Sequence, residues 1–194
     1  NKKVVVFGGC GFLGREICNI LAKNKYDVIC VDKNIVKFND KIKYEKLDIL
    51  DQKKIDKTLK NTQYVFHFAG ISDIEKANLD PVETINQNVI GTLNILNASI
   101  NNKVKRLIFA SSIYIYSDKG GFYNISKQTC ESLIRHFKEI NKLNFSILRF
   151  GSIYGPGSDN TNFIYNVINE ALTKKTMTRK GQGNEIRSYI HVRD

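Results

Sequence analysis

Several features are scarce in this 194-residue sequence, and each scarcity excludes a class of protein. Only two prolines occur, Pro81 and Pro156, so no proline-rich linker divides the chain. No apolar run reaches the roughly 18 residues that a membrane-spanning helix needs, and we expect no such helix. The apolar run Val4–Phe7 is too short for a signal peptide and has no small-residue cleavage site after it, so a strand is the simpler interpretation.

The four cysteines and three histidines are poorly spaced for metal or disulfide chemistry. No two cysteines form a CxxC pair, and the histidines are scattered without ligand spacing, so we expect no metal site. Three of the cysteines lie in apolar periodic segments, which favours reduced, mostly buried thiols in a cytoplasmic protein. These residues are Cys10, Cys18, Cys30, Cys130, His67, His136 and His191.

The charge is strongly positive, with 30 Lys and Arg against 19 Asp and Glu and a formal net charge of +11. Such a charge can indicate affinity for nucleic acid, for a membrane surface or for phosphate-bearing small molecules. The lysines form no block, however, so we interpret the charge as compositional and expect neither a nucleic acid nor a membrane as partner.

Strand-like and helix-like segments alternate up to residue 150, and this pattern predicts a doubly wound α/β domain with a parallel sheet over residues 1–150. The predicted strands are Val4–Phe7, Val28–Val31, Ile42–Leu47, Tyr64–Phe68, Arg106–Ala110 and Phe145–Phe150. The predicted helices are Phe12–Lys23, Asp51–Leu59, Pro81–Asn101 and Tyr123–Asn141.

The pattern changes after residue 150. A turn at 154–157 precedes a predicted helix near Asn162–Leu172, and a turn at 181–183 separates two predicted short strands, Thr176–Arg179 and Arg187–Val192. The chain stops at Asp194 with no helix to cover the last strand. We therefore expect residues 151–194 to be the beginning of a substrate-binding region that is incomplete here.

A glycine-rich segment follows the first strand and opens the first helix. In such a context Gly8 permits a tight turn, Gly11 lets the backbone approach a pyrophosphate, and Gly14 lets the helix pack close to the strand. The N–H groups at the helix start, which include those of Phe12 and Leu13, then face the anion. The alternative is a purely structural glycine turn.

Asp32 ends the second predicted strand, 18 residues after Gly14. An acidic side chain there accepts hydrogen bonds from a ribose diol and repels a 2′-phosphate, which favours NAD over NADP. The nearby Lys33 and Lys37 weaken that preference.

Asp48, followed by Ile49, ends the third predicted strand. Two interpretations remain open: Asp48 holds the adenine edge of a cofactor, or it caps the helix that begins near Asp51.

Tyr123 and Lys127 are four residues apart in a predicted helix and therefore share one face. The reference pKa of tyrosine is about 10, but a neighbouring ammonium and the positive nicotinamide ring of NAD would lower it. Tyr123 could then exchange a proton with a substrate hydroxyl while hydride moves to or from the cofactor. Lys127 would also hydrogen-bond the nicotinamide ribose. The alternative is a packed tyrosine beside a surface lysine.

Ser111 and Ser112 end the fifth predicted strand. Ligands of a parallel sheet bind beyond the carboxyl ends of its strands, so a hydroxyl there can bond the same substrate oxygen as Tyr123. The alternative is that the serines only cap the strand end.

In this order the motifs resemble the extended short-chain dehydrogenase/reductase family, specifically its NAD-dependent epimerase/dehydratase group. The resemblance extends over essentially the whole chain. The segments that carry it are Gly8–Gly14, Asp32, Leu47–Ile49, His67–Gly70, Asn88–Thr92, Ser111–Tyr116, Tyr123–Lys127, Leu148–Phe150, Tyr154–Pro156 and Arg187–Val192.

The resemblance implies a Rossmann-type fold, with Ser112, Tyr123 and Lys127 as the catalytic trio and the loop Phe68–Gly70 along the cofactor. Arg187 matches a position that reaches a nucleotide-sugar phosphate, where a planar guanidinium suits the anion; its alternative role is a surface salt bridge. The predicted cofactor-binding residues are Gly8, Gly11, Phe12, Leu13, Asp32, Lys33, Asp48, Ile49, Phe68, Ala69, Gly70, Asn88, Ala110, Tyr123, Lys127 and Phe150. The predicted substrate-binding residues are Ser112, Tyr123 and Arg187.

Four features depart from the family pattern. Ile113 and Tyr114 stand where sugar-nucleotide 4,6-dehydratases carry an Asp-Glu pair, which argues against dehydration. The connection from Tyr116 to Tyr123 is much shorter than usual, and Gly151 replaces an asparagine that often contacts substrate phosphate. The family also continues beyond this chain into a C-terminal substrate lobe.

The first hypothesis is an NAD-dependent nucleotide-sugar epimerase, acting at C4 by transient hydride transfer with Tyr123 as acid and base. A nucleotide-sugar reductase or dehydratase of the same family is the alternative within the enzyme class. A non-catalytic NAD(P)-binding protein is a different class, suggested by the short loop and the missing lobe and opposed by the intact trio. The resemblance also implies a homodimer formed through Pro81–Asn101 and Tyr123–Asn141.

Overall fold

The computed structural model describes residues 2–178, 181–182, 184 and 186–194. The chain forms two compact units, one ending at Arg149 and the other beginning at Phe150. The strands are β1 (Lys3–Phe7), β2 (Asp27–Asp32), β3 (Lys43–Lys46), β4 (Tyr64–His67), β5 (Arg106–Ser112), β6 (Phe145–Phe150), β7 (Ser152–Tyr154) and β8 (Tyr189–His191). The helices are α1 (Phe12–Lys23), α2 (Gln52–Thr58), α3 (Ile74–Leu79), α4 (Pro81–Ile85), α5 (Gly91–Asn101), α6 (Gly121–Asn141) and α7 (Phe163–Lys174).

The main sheet has six strands in the order β3-β2-β1-β4-β5-β6, and the neighbours from β3 to β5 run parallel. The order reverses between β1 and β4, because the chain first winds outward to β3 and then crosses back to β4. A crevice at the carboxyl ends of the strands is expected at that reversal. The predicted Rossmann-type doubly wound fold is confirmed.

The strand β1 explains why this sheet needs helices on both faces. Val4, Val5, Val6 and Phe7 are all fully buried, and successive side chains of a strand point to opposite faces. Val5 and Phe7 belong to a core that includes residues of α2, α5 and α6. Val4 and Val6 belong to a second core with Cys18 of α1. The continuous apolar run therefore follows from burial on both sides.

The predicted helix Pro81–Asn101 is interrupted in the structure. A π-helical turn, Asn86–Ile90, separates α4 from α5 and carries the buried residues Gln87 and Asn88. The helix α3 is not predicted by the sequence pattern; it is only six residues long, and its N-cap is Asp73, whose side chain accepts the Lys76 N–H at 2.9 Å. Short helices held by one cap have too few turns to show an apolar periodicity.

In the second unit, β7 and β8 form a parallel pair, with α7 between them in sequence. The prediction of a strand at Thr176–Arg179 is wrong for residues 176–178, which form no strand, while Arg179 lies outside the described residues, as does part of the predicted turn at 181–183. A Cβ on Gly151 would lie 2.7 Å from the Ser188 carbonyl oxygen, so the pairing of these strands requires glycine there.

Among the described residues, no helix has both the length and the apolar character needed to cross a bilayer.

Candidate active site

The turn after β1 is shaped by close backbone contacts. The N–H groups of Gly8 and Gly9 both donate to the Val31 carbonyl oxygen, at 2.9 and 3.1 Å. Gly8 has a φ of +75°, and a Cβ there would lie 2.5 Å from the Ala69 nitrogen. A side chain at this position would therefore be strained and would also push away the loop that follows β4.

Gly14 brings α1 directly against this turn. A Cβ on Gly14 would lie 2.1 Å from the Gly8 carbonyl oxygen, so only glycine allows the helix to sit so close. Gly11 differs, because its Cβ would meet only the Gly8 carbonyl oxygen, at 3.3 Å. Gly11 is also the N-cap of α1 and provides no capping side chain. The start of α1 thus has the form of an anion site.

Asp32, at the end of β2, is hydrogen-bonded to the glycine turn. Its carboxylate accepts the N–H of Cys10 at 3.1 Å and the N–H of Asn34 at 3.1 Å. The ammonium of Lys33 is paired with Asp48 instead, at 3.2 Å. The ammonium of Lys33, the residue next to Asp32, is therefore neutralised by Asp48 and not by Asp32.

Asp48 is not the cap of α2, so that interpretation is wrong. The N-cap is Asp51, whose side chain accepts the Lys54 N–H at 3.1 Å. Asp48 accepts the Leu50 N–H at 3.0 Å and the ammonium of Lys33. Burial raises the pKa of Asp48, but these hydrogen bonds lower it more and hold it below its usual value.

Two of the predicted cofactor residues have side chains that are engaged inside the protein. Ile49 is only 4% exposed, and its Cδ1 lies 2.5 Å from the position that a Cβ on Gly91 would occupy. Its side chain is therefore part of the core. Asn88 donates to the carbonyl oxygen of Ile71 at 3.0 Å and to Ser126 Oγ at 2.9 Å, and its Oδ1 accepts the Ile71 N–H at 2.7 Å. Asn88 thereby holds the loop after β4, and its direct contact with a cofactor stays a prediction.

The structure brings Ser112, Tyr123 and Lys127 together. Ser112 is the last residue of β5, and Tyr123 lies in the first turn of α6. Burial raises the pKa of Tyr123, and a hydrogen bond from the Ser112 hydroxyl partly offsets that rise. The Lys127 ammonium lies 5.7 Å from the centre of the Tyr123 ring and donates to the Ala110 carbonyl oxygen at 2.9 Å. Burial lowers the pKa of Lys127.

The short connection between Tyr116 and Tyr123 contains two adjacent glycines. Gly120 and Gly121 have φ values of +106° and +51°, so the chain turns sharply just before Tyr123. The Asn124 side chain donates to the Ser117 carbonyl oxygen at 2.6 Å and fixes the loop from the helix side. The helix therefore begins at Gly121, two residues earlier than predicted. Although the preceding loop is short, Tyr123 still lies next to Ser112.

His67, the last residue of β4, is a buried and neutral histidine. Its Nε2 lies 2.8 Å from Thr92 Oγ1, which itself donates to the Asn88 carbonyl oxygen at 2.5 Å. The histidine nitrogen must then be the donor of this pair. Burial lowers the pKa of His67 to about 3, and the charge of Lys127 contributes to that fall.

This burial predicts a loss of stability in mild acid. The imidazole of His67 binds a proton near its ordinary pKa of 6.5 in the unfolded chain but only near about 3 in the folded one. Between these values the unfolded state binds more protons, so stability falls as the pH falls. We expect the free energy of unfolding to drop by about 2 kcal/mol from pH 7 to pH 5.

Urea unfolding at several pH values measures this drop. His67→Gln should flatten the dependence, whereas His136→Gln, at a side chain that is 67% exposed, should leave it unchanged. Equal stability of the unsubstituted protein at pH 5 and pH 7 would contradict the prediction.

Sequence reasoning did not identify Glu131, a buried carboxylate on α6 that binds Ser111. The available signal was its position four residues after Lys127, on the same helical face as Tyr123 and Lys127. The structure also separates the two serines: Ser111 faces Glu131, and Ser112 faces Tyr123.

Arg187 belongs to the second unit, where its guanidinium lies 5.2 Å from the centre of the Phe163 ring. Its contact with a substrate phosphate stays a prediction.

Comparison with known proteins places this arrangement in a family. The chain matches the NAD dependent epimerase/dehydratase family over residues 4–194. It is 28% identical to a putative UDP-glucose 4-epimerase of Methanocaldococcus jannaschii, over 98% of this chain and 70% of that protein. It is also 28% identical to a UDP-glucose 4-epimerase of Schizosaccharomyces pombe, over 79% of this chain and 51% of that protein. The chain thus matches between about half and 70% of the length of these two relatives.

Two solved structures are similar over nearly the whole chain. The UDP-N-acetylglucosamine 4-epimerase of Methanobrevibacter ruminantium, in complex with UDP-N-acetylmuramic acid, has a TM-score of 0.91 and 27% identity and covers 100% of this chain and 70% of its own. The UDP-glucose 4-epimerase of Thermotoga maritima, with UDP-glucose, has a TM-score of 0.89 and 25% identity and covers 98% and 69%. The family match and the arrangement of glycine turn, serine, tyrosine and lysine lead to one conclusion: this chain belongs to the NAD-dependent epimerase/dehydratase family, as its motifs predict.

Proposed function

We propose that this chain forms the catalytic part of an NAD-dependent nucleotide-sugar 4-epimerase. The observation that carries the proposal is the convergence of Ser112, Tyr123 and Lys127 at the carboxyl ends of the parallel strands. The epimerases named above support the reaction type, since they act on UDP-linked sugars.

The residues around the glycine turn fit a dinucleotide. Gly8 and Gly14 leave no space for a Cβ, and the start of α1 lacks a capping side chain, so backbone donors are available to a pyrophosphate. Asp32 stands at the end of β2, where a ribose diol is held. When bound, NAD supplies reversible hydride transfer with a sugar carbon.

Tyr123 holds and moves the proton in this proposal. Burial favours the neutral phenol, so Tyr123 needs help to accept a proton from the substrate hydroxyl at C4. The hydrogen bond from Ser112 and the ammonium of Lys127 provide that help, since both favour the phenolate. The same phenol returns the proton when the sugar is restored in its other configuration.

The residues directly after Ser112 favour epimerisation over dehydration. The 3-10 turn Ile113–Tyr116 contains only apolar and tyrosine side chains, and it offers no carboxylate to remove or donate a second proton. A nucleotide-sugar reductase is the second candidate, because the same trio serves net hydride transfer.

The test uses the complete gene product with NAD and UDP-glucose, UDP-N-acetylglucosamine or UDP-glucuronate, followed by proton NMR. We expect the C4 epimer to accumulate to equilibrium with no net change in NADH. A parallel assay supplies NADH or NADPH in place of NAD, and stoichiometric consumption of either reduced cofactor with reduction of the sugar would replace the epimerase by a reductase. Binding of NAD without any change in any sugar would favour a non-catalytic binding protein.

Removal of the Asp32 carboxylate should weaken NAD binding. We expect Asp32→Asn to raise the Kd for NAD by about ten- to a hundredfold, the range for hydrogen bonds to a charged group, while affinity for NADP rises or stays unchanged. Titration calorimetry measures both, with Asp40→Asn, at an exposed carboxylate, as the control. An unchanged Kd for NAD would remove Asp32 from the cofactor site.

A homodimer is part of the proposal. Leu79, Val82 and Ile125 lie on α3, α4 and α6 and are 86%, 70% and 50% exposed, which is unusual for such side chains on packed helices. We expect the protein to elute as a dimer in light-scattering measurements and Val82→Asp to produce monomers. Ile20→Asp, at a residue of α1 that is 44% exposed and lies outside both predicted dimer segments, is the control. A monomeric unsubstituted protein would contradict this prediction.

The location of the protein also remains a proposal. All four cysteines are free thiols, in agreement with the predicted cytoplasmic location.

A further inference from the structure

Glu131 is a buried ionisable residue that the proposed reaction does not use. Its side chain is 6% exposed, and it lies four residues after Lys127 on α6. Its Oε1 accepts a hydrogen bond from the Ser111 hydroxyl at 2.7 Å. Ser111 immediately precedes Ser112 on β5, so Glu131 contacts the strand directly beside the catalytic serine.

Arg149 compensates the charge of this carboxylate. Its Nε lies 2.9 Å from Glu131 Oε1 and its Nη2 lies 2.7 Å from Oε2, which is the bidentate arrangement that guanidinium groups favour. Burial raises the pKa of Glu131, but hydrogen bonds from Arg149, Ser111 and Arg135 lower it more, so the carboxylate stays ionised. A buried charge is tolerated only with such partners.

The same arginine reaches the other side of Ser112. Arg149 donates through Nη1 to the Tyr116 hydroxyl, and its guanidinium lies 5.0 Å from the centre of the Tyr116 ring. Tyr116 ends the 3-10 turn that begins directly after Ser112. One carboxylate therefore anchors the chain before Ser112 through Ser111 and after it through Arg149 and Tyr116.

We propose that Glu131 is a positioning residue that keeps the Ser112 hydroxyl directed at Tyr123 by holding both flanks of the serine. The inference rests on the proposed function of Ser112 and Tyr123. Glu131 itself does not touch the reacting atoms; it acts through Ser111 and Arg149.

Ser111→Ala is the sharpest test, because it removes one hydroxyl and leaves the ion pair between Glu131 and Arg149 intact. We expect kcat for epimerisation to fall about tenfold, near the lower end of the range for the loss of a hydrogen bond to a charged group, while KM for the sugar nucleotide and Kd for NAD change less than about twofold. The hydrogen bond from Ser112 lowers the pKa of Tyr123, so the rise of kcat with pH should move to higher pH in this variant.

Arg135→Ala is the matched control. Arg135 also binds Glu131, at 3.1 Å, but its side chain is 53% exposed and contacts neither flank of Ser112 through an observed hydrogen bond. We expect its kcat and pH profile to equal those of the unsubstituted protein. Glu131→Gln, which weakens both anchors, should lower kcat more than Ser111→Ala does.

Unchanged kcat and an unchanged pH profile in Ser111→Ala would overturn the inference. So would a fall in kcat that is matched by weaker NAD binding or a lower melting temperature, because that pattern describes a structural role only. If the unsubstituted protein epimerises no sugar, the proposed function fails, and crystal structures of the NAD-bound proteins decide the inference instead. Ser112 Oγ displaced from the Tyr123 hydroxyl in Ser111→Ala supports it, and an unchanged separation overturns it.

Discussion

Tyr123→Phe is expected to lower kcat for epimerisation by about a thousandfold, within the range for loss of a general acid and base. The substitution removes one oxygen from a residue that is only 8% exposed and keeps the ring that packs near Lys127. The remaining activity would come from binding and orientation alone.

NAD binding separates this effect from misfolding. The chain contains no tryptophan, so calorimetry rather than intrinsic tryptophan fluorescence gives the Kd for NAD, which we expect to change only slightly. Tyr26→Phe is a suitable control, because Tyr26 directly precedes β2 and so lies at the amino ends of the parallel strands, whereas the glycine turn lies at their carboxyl ends. A Tyr123→Phe protein with more than about a tenth of the original kcat would exclude Tyr123 as the proton carrier.

Gly14→Ala is expected to have the second large effect, on both stability and cofactor binding. Alanine normally stabilises a helix relative to glycine by about 1 kcal/mol. Here the new Cβ would lie 2.1 Å from the Gly8 carbonyl oxygen and 2.7 Å from the Gly9 Cα, and these backbone atoms cannot rotate away. We therefore expect a net loss of about 3 kcal/mol in the free energy of unfolding, with a melting temperature about 6–12 °C lower.

The same displacement should abolish NAD binding, because it moves the start of α1 away from the turn that would hold the pyrophosphate. Gly11→Ala is the informative comparison, since its Cβ would meet only one atom, at 3.3 Å. We expect Gly11→Ala to keep most of the stability and still weaken NAD binding at least about tenfold, because its Cβ occupies the ligand side. Thermal melting and calorimetry on both variants check this, and a Gly14→Ala protein that binds NAD normally would contradict the proposed site.

The proposed catalytic trio shows how much of the site the sequence predicts. The pattern of serines at a strand end and a tyrosine and lysine four apart on a helix predicts Ser111 or Ser112 together with Tyr123 and Lys127, and the family resemblance implies Ser112; the structure brings Ser112, Tyr123 and Lys127 together. The pattern does not predict what supports them. Glu131 approaches Ser111 and Arg149 only because α6 crosses β5 and β6, and a contact between elements far apart in sequence leaves no local periodicity.

Buried polar residues show the same limit. The motifs predict a cofactor contact for Asn88, which stays a prediction, but they do not predict that its amide binds Ile71 and Ser126. The sequence allows Asp48 as a helix cap, but Asp51 performs that role. Both cases concern which of several possible partners a polar side chain chooses, and that choice depends on distances set by packing rather than on residue type.

The amino-acid sequence by itself determined the alternation of strands and helices, the glycine turn and the residue types of the proposed proton-transfer trio. It did so because burial on both sheet faces demands continuous apolar strands such as β1, and because close backbone contact demands glycine at positions 8 and 14. The tertiary structure alone decided that Ser111 binds Glu131, that Asn88 in the π-turn holds the loop after β4, and that Glu131 is buried with Arg149. These outcomes arise from contacts between distant segments, whose distances are fixed only when the whole sheet and its helices pack together.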